Sequence, residues 1–375
     1  MGRVLILDAG MGAGHTAVAN ELAERLSKRG HGVRRADVLD LLPSGVGVAL
    51  RGFYRTAVRR APWLYDGIYA AFFRSEHGPE STPLAALAGP GFLEASAEYR
   101  PDVVVPVFHL AAQVTGRLRA RGELAAPTAV MVTDFAVHRQ WLHPGNDVYL
   151  CVSAEAAEQV RARLGRPAYA PGPVVPERFH KAAASEDGHW IKVLRRIGEE
   201  RIPVLISTGS WGVARGLPET TDALYRNGYL PVVLCGRDER IQTRMGRLPG
   251  VLACGWIEDI EALMAAASVL IDNAAGQTAV QALAAGLPVI GYQPIAGHGR
   301  EGVLRMARLG VTTYAGSQAE LLDALARLAR PGEARDKQVR AGRSLFVADA
   351  AEEIHRLAEA APAGEAAAEP RVHRR

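Results

Sequence analysis

The sequence predicts an α/β protein made of two doubly wound parallel sheets. Short apolar, β-branched runs recur along all 375 residues. Helical patterns separate them. The series also starts afresh at mid-chain, each time with a strand that runs into a glycine-containing turn. Strand, helix and strand repeated in this way build a parallel sheet with right-handed crossovers.

The elements follow in order. The first series holds strands near Val4–Leu7, Val103–Val107, Thr128–Val132 and Val148–Val152. The second holds Val204–Ser207, Pro231–Cys235, Val251–Ala253, Val269–Asp272 and Val289–Tyr292. Each run is apolar nearly throughout, as a strand covered on both faces must be. After the first strand, Val18, Leu22 and Leu26 fall at helical spacing. Lys28 and Arg29 occupy the last turn, and Gly30 stops it. A helix over Ala154–Leu164 closes the first series. Residues 165–179 carry four prolines and two glycines, a linker composition. The expected division is 1–170, 171–345, a C-terminal helix at 346–360, and a disordered tail at 361–375.

Composition narrows the function. An apolar fraction of 48% with 22% charged residues describes a globular chain rather than a disordered one. No apolar stretch reaches the roughly 20 residues that span a bilayer, and the first residues run into a strand without a signal-peptide cleavage region. Cys151, Cys235 and Cys254 are too few and too scattered for a disulfide framework or a four-thiolate zinc site. The expected location is therefore the cytoplasm. A net charge of +4 on this length gives no argument for nucleic acid. Much of that charge sits in 51–74, with five arginines, one acid (Asp66), and seven of the chain's aromatics.

Three segments carry chemistry. Gly10, Gly12 and Gly14 stand between the first strand and its helix, followed by His15. Such a turn lets backbone N–H groups approach an anion at a helix N-terminus, or is simply a tight turn. No Lys-Ser/Thr follows, so it is not a Walker A loop. A dinucleotide reading would use Asp37 on the ribose, but the glycine spacing does not match. A histidine in a first helical turn has its pKa lowered by the dipole, which suits a neutral general base; a surface-turn histidine is the plain alternative. The second segment is Thr133, Asp134, Phe135, His138, Trp141 and His143, at the carboxyl end of a strand, where open sheets bind ligands. Asp134 and His138 would share a face if helical. They could form an Asp-oriented histidine in a cleft or a structural pair, while a metal would lack a third ligand. The third segment runs from Asp272 through Gly276, Gln277, Thr278 and Gln281 to Gly286. There a small-residue turn opens a helix whose N–H groups suit a diphosphate. The loop 294–301, with His298, follows the next strand.

In this order and spacing the segments resemble the GT-B glycosyltransferases of the monogalactosyldiacylglycerol synthase and processive diacylglycerol glucosyltransferase family. A more distant likeness is to the N-acetylglucosaminyltransferase that makes peptidoglycan lipid II. The likeness covers roughly residues 3–330. It rests on Gly12–His15, Asp37–Leu39, Tyr54 with Pro62–Leu64 and Tyr69, and the intact Thr133, Asp134, Phe135, His138 and Trp141. It rests also on Gly236–Asp238, Gly255–Ile260 and Asn273–Pro288. The resemblance implies two Rossmann-like domains facing across a cleft, a lipid acceptor such as diacylglycerol on the first, and a UDP-hexose on the second. It implies an inverting displacement with no tightly bound cofactor or metal. His15 would act as base or contact the donor phosphate region, and Asp134 and His138 would shape the acceptor side, with Asp134 the rival base. Gly12, Gly14, Gly209, Ser210, Gly236, Gly276, Gln277, Thr278, Gln281 and His298 would meet the donor, and Ile257 the uracil. The segment 51–74 would meet an anionic membrane surface, making the protein peripheral to the membrane.

The chain departs from the family at the donor. Gln281 replaces a ribose-binding Glu, and His298, Gly299 and Gly302 replace Gln, Glu and Asn. The alternative these changes favour is a divergent GT-B-fold protein with weakened donor binding, acting on another acceptor or as a binding protein without turnover.

Overall fold

The structure is a computed structural model that describes residues 1–60, 67, 83–182, 188–209, 213–295 and 297–360, without the side chains of 55 and 58–60. Ser210, the aromatic residues from Trp63 to Phe73, Arg74 and the tail 361–375 lie outside the described residues.

Among the described residues every strand pairing is parallel. The first half holds β1 (Arg3–Asp8), α1 (Ala13–Lys28), β2 (Gly32–Asp37), α2 (Val46–Arg60), α3 (Pro83–Tyr99), β3 (Val103–Pro106) and α4 (His109–Ala120). It continues with β4 (Ala129–Val132), β5 (Val148–Cys151), α5 (Ala154–Leu164) and β6 (Ala168–Tyr169). The strands lie in the orders β2-β1-β3 and β4-β5-β6, joined by one parallel bridge from Val104 to Thr128. β2 is the polar exception: Arg34 and Arg35 leave this edge strand to pair with Glu98 and Asp8. Its interior is not apolar because one flank faces no neighbouring strand.

The region read as a linker is partly structured. β6 adds to the first sheet, Val174 and Val175 are buried, and α6 (Glu177–His180) follows. The second half holds α7 (His189–Gly198), β7 (Ile202–Ser207), α8 (Leu217–Arg226), β8 (Tyr229–Leu234), α9 (Glu239–Met245), β9 (Leu252–Cys254), α10 (Ile260–Ala266) and β10 (Val269–Asp272). Then come α11 (Gln277–Ala285), β11 (Val289–Tyr292), α12 (His298–Arg308), β12 (Thr313–Ala315), α13 (Gln318–Leu328) and α14 (Glu333–Arg343). The strand order is β12-β11-β10-β7-β8-β9, a doubly wound sheet.

The final helix, α15, spans Ala350–Ala360, so it begins four residues later than the sequence pattern suggested. The N–H groups of Val347 and Ala348 both bond the Pro171 carbonyl, and the Asp349 carboxylate takes the Ala351 N–H. Residues 347 and 348 are therefore held against the first crossing between the halves. α15 then returns to the first half, where Ala350, Ala351, Ile354 and Ala358 are buried. Arg25 and Arg29 of α1 hold Asp349 at 2.9 and 2.6 Å. One continuous apolar cluster joins Val18 and Leu22 of α1, Val175 and Phe179 of the connection, and Ala279 and Leu283 of α11. The two halves thus share a core.

Candidate active site

Topology places the site. A crevice forms beyond the carboxyl ends of two neighbouring strands whose connections leave in opposite directions. In the first sheet these strands are β1 and β3; in the second they are β7 and β10. The glycine turn before His15 follows β1, and the turn 273–276 follows β10. The two turns meet: a Cβ built on Gly14 would lie 3.6 Å from the Cβ of Gln277. Gly14 is the second residue of α1 and Gln277 the first of α11. Two helix N-termini, each the positive end of a dipole, therefore converge on one region and favour an anion there.

His15 stands beside this meeting point. Its Nδ1 lies 2.9 Å from the Val107 carbonyl oxygen and 3.3 Å from Thr133 Oγ1. A carbonyl only accepts, so Nδ1 carries the proton and donates it, and Nε2 keeps its lone pair. Desolvation lowers the His15 pKa below the ordinary value of 6.5, against the opposing charge of Asp134 and the Val107 bond. The imidazole is a neutral base at neutral pH.

The segment after β4 does not become a helix. Asp134 and His138 nevertheless meet, with Oδ2 3.4 Å from Nε2. A short 3-10 turn, Arg139–Trp141, brings the fully buried Trp141 back, and its Nε1 donates to Asp134 Oδ2 at 2.8 Å. Gln113 Nε2 donates to the carbonyls of Gln140 and Leu142, and the Tyr149 hydroxyl donates to the carbonyl of His143, fixing the loop. His143 is part of this scaffold, with Nδ1 accepting the Gly145 N–H. Burial by itself would raise the Asp134 carboxyl. The hydrogen bond and charge of His138, with His15 and His298 beyond, instead hold it well below the usual carboxylate range. Asp134 is ionised and already bonded on one oxygen, which makes it a weak base.

Two further histidines complete the group. His109, the first residue of α4, sets its ring 5.3 Å from that of His138 and 6.2 Å from that of Trp141. Desolvation, then the neighbouring His138, holds its pKa well below 6.5. His298 opens α12 from the second half. Desolvation lowers it too, while Asp134 opposes and His138 and His15 assist. Sequence reasoning missed His109. The available signal was that it starts a helix with only two residues between it and the end of a strand.

The structure closes the dinucleotide reading of Asp37. Its Oδ2 takes the Gly10 N–H at 2.8 Å and Arg51 Nη2 at 2.7 Å, and its Oδ1 takes the Leu39 N–H at 2.8 Å. No ribose hydroxyl is needed to satisfy it. Arg51 also reaches Asp40, so this arginine of the basic segment is paired with two carboxylates of the protein.

In the second half, polar side chains hold the turn rather than the crevice. Asp272, 2% exposed, accepts the N–H groups of Ala274 and Ala275. Its carboxyl is raised by burial, against those bonds. Asn273 donates to the Val213 carbonyl at 2.7 Å, and Gln277 Nε2 donates to the Val174 carbonyl at 2.9 Å. Gln277 therefore offers the crevice its backbone N–H. Thr278 and Gln281 are half-buried in α11. The glycines of α12 are filled by neighbours: a Cβ at Gly299 would lie 2.3 Å from Ile295 Cγ1, and one at Gly302 2.8 Å from the Ala275 Cβ. Larger side chains are excluded there by close packing. Gly209 and Gly236 take left-handed turns after β7 and β8, at φ +67 and +59. Ile257, half-buried, follows β9, and its neighbour Trp256 is 51% exposed with Arg237 stacked 4.6 Å above its ring. Among the described residues, no group of three or more His, Cys, Asp or Glu is arranged to hold a metal ion.

Comparison with known proteins now bears on this geometry. Residues 15–167 match the family model of monogalactosyldiacylglycerol (MGDG) synthase, a span that runs from His15 through the Asp134 loop. The chain is 22% identical over 361 residues to the processive diacylglycerol β-glucosyltransferase of Bacillus subtilis (strain 168), covering 94% of this chain and 93% of that one. Its fold is similar to that of CalG4, the calicheamicin glycosyltransferase, with a TM-score of 0.62, 16% identity, and coverage of 96% and 100%. The Anabaena protein HepE, in complex with UDP-glucose, aligns with a TM-score of 0.54, 16% identity, and coverage of 96% and 99%. The fold is GT-B, and the match to the MGDG synthase model together with these relatives supports a glycosyltransferase enzyme.

Proposed function

We propose that the protein is an inverting glycosyltransferase that moves a hexose from a UDP-sugar to a lipid hydroxyl, diacylglycerol being the acceptor class. One observation carries the reading: a neutral His15, its Nδ1–H bonded to Val107, sits where two helix N-termini converge. The acceptor oxygen attacks the anomeric carbon from the face opposite the leaving group. Its proton passes to His15 Nε2. The anomeric carbon–oxygen bond breaks, and its electron pair leaves with the diphosphate. The N–H groups of Gly12, Gly14, Gly276, Gln277 and Thr278 stabilise that charge without reorganising. Asp134 stays ionised, orients His138, and favours the imidazolium that forms on His15. Gln281 bonds the ribose, the backbone at Ile257 reads the uracil, and Gly209, Gly236 and His298 complete the donor side. The names of the relatives supply the lipid acceptor, and the HepE complex supplies the UDP-sugar.

The site works at a membrane surface in this reading. Val48 and Phe53 of α2 are 71% and 49% exposed, with the exposed Ala49 and Thr56 beside them. No helix among the described residues is long and apolar enough to cross a membrane. Flotation with anionic and neutral vesicles tests the electrostatic part: binding to anionic vesicles alone supports it, and equal binding to both rejects it.

A second reading, binding without turnover, is favoured by the donor wall, where Gln281, Gly299 and Gly302 stand without a carboxylate. Thermal shift with UDP, UDP-sugars and NAD tests donor recognition. A shift with uridine nucleotides supports the transferase; a shift with NAD alone rejects it. Turnover decides between the transferase and the binding protein.

A further inference from the structure

The turn from Asn273 to Thr278 carries no lysine or arginine. Helix α12 packs directly on it: a Cβ at Gly299 would come 3.2 Å from the Asn273 carbonyl oxygen. His298 immediately precedes Gly299 and is half-buried. The charged and titratable groups that act on its imidazole are Asp134 and His138 from the loop after β4, His15 from α1, Glu301 on its own helix, and His109 from α4. Of the two carboxylates, Asp134 already pairs with His138, and Glu301 lies on the same helix as His298.

A nucleoside diphosphate adds at least two negative charges to this region. Helix ends and backbone N–H groups have fixed charge and cannot respond. A histidine can, because a nearby anion favours its protonated form. His15 must remain neutral to accept the hydroxyl proton. We infer that His298 takes up a proton from solvent when a nucleoside diphosphate occupies the turn, and so becomes the cation that holds it. This rests on the glycosyltransferase reading above.

Calorimetry of UDP binding in buffers of different ionisation enthalpy tests it. UDP's own phosphate titrates in the same range, so the difference between wild type and variant is the quantity read. Wild type is expected to take up close to one proton more than His298→Gln, and its affinity to fall up to about tenfold per unit rise in pH. His298→Gln should bind more weakly and with less pH dependence. His298→Lys, charged throughout, should bind without the extra uptake, and it decides the matter if His298→Gln binds nothing. Melting of each unliganded variant confirms the fold. Equal uptake in wild type and both variants overturns the inference while leaving the transferase standing. Absence of UDP binding to folded wild type overturns both.

Discussion

At the residue scale, the site separates two acids and bases that look interchangeable in the sequence. His15 and Asp134 could each be the base, and their surroundings push them apart. His15 is desolvated and bonded through Nδ1 to a carbonyl, so it is neutral with Nε2 available. Asp134 is held ionised by His138 and bonded by Trp141. His15→Ala should lower kcat by a factor of roughly 10² to 10⁴ with an unchanged melting curve; unchanged turnover would remove His15 from the mechanism. The lowered pKa also fixes the pH profile. The active neutral form persists below the ordinary 6.5, so the acid limb of kcat/KM should lie below that value. Asp134→Asn removes the charge that opposes the depression, so its acid limb should move to still lower pH. A limb that moves up would contradict this electrostatic account. His15, Asp134 and His138 were legible in the sequence because they sit in motifs at strand ends. His109 was not, because only the fold brings its helix start against Trp141.

At the element scale, the strongly apolar strands were legible and the weak ones were not. β2 is polar because it is an edge, and β6 and β12 are only two and three residues long. Neither carries an aliphatic run like Val251–Ala253, which marks the three-residue β9. The crossing between the halves was read as a plain linker, yet it is tightly built. Gly172 has φ +105, and a Cβ there would lie 2.0 Å from the Leu345 carbonyl oxygen. Gly172→Ala should therefore cost on the order of 2 kcal/mol or more, measurable by urea unfolding; a variant as stable as wild type would refute this packing. The second crossing ends in α15, latched by histidines. Gly2 N–H donates to His31 Nδ1 at 3.2 Å, so His31 Nε2–H donates to His355 Nδ1 at 2.7 Å, and His355 Nε2 lies 3.6 Å from Glu359. Burial lowers the His31 pKa. Its stabilising contribution is complete above the ordinary 6.5 and is lost as pH falls through the depressed folded value. Hydrogen exchange over 350–360, corrected for intrinsic rates, should quicken in mild acid before it does in the central strands. Unaltered protection would exclude the latch.

At the scale of the whole molecule, the two halves share a core and present their helix N-termini to one crevice. That arrangement was legible in outline, since both glycine turns could be placed on carboxyl edges of sheets. The direct meeting of Gly14 and Gln277 was not legible, because it depends on how α11 packs against α1. Nor was the repacking of α12 around Gly299 and Gly302, where neighbours fill the space that larger side chains would need. The central claim is that this crevice transfers sugar to lipid. The measurement that tests it most directly is mass detection of glycosylated lipid after incubation with a panel of nucleotide sugars and diacylglycerol-containing vesicles. Wild type should form a hexosyl lipid with release of UDP, and His15→Ala should not. A folded wild type that moves no sugar from any nucleotide donor to lipid, or a His15→Ala variant that matches it, would contradict the account.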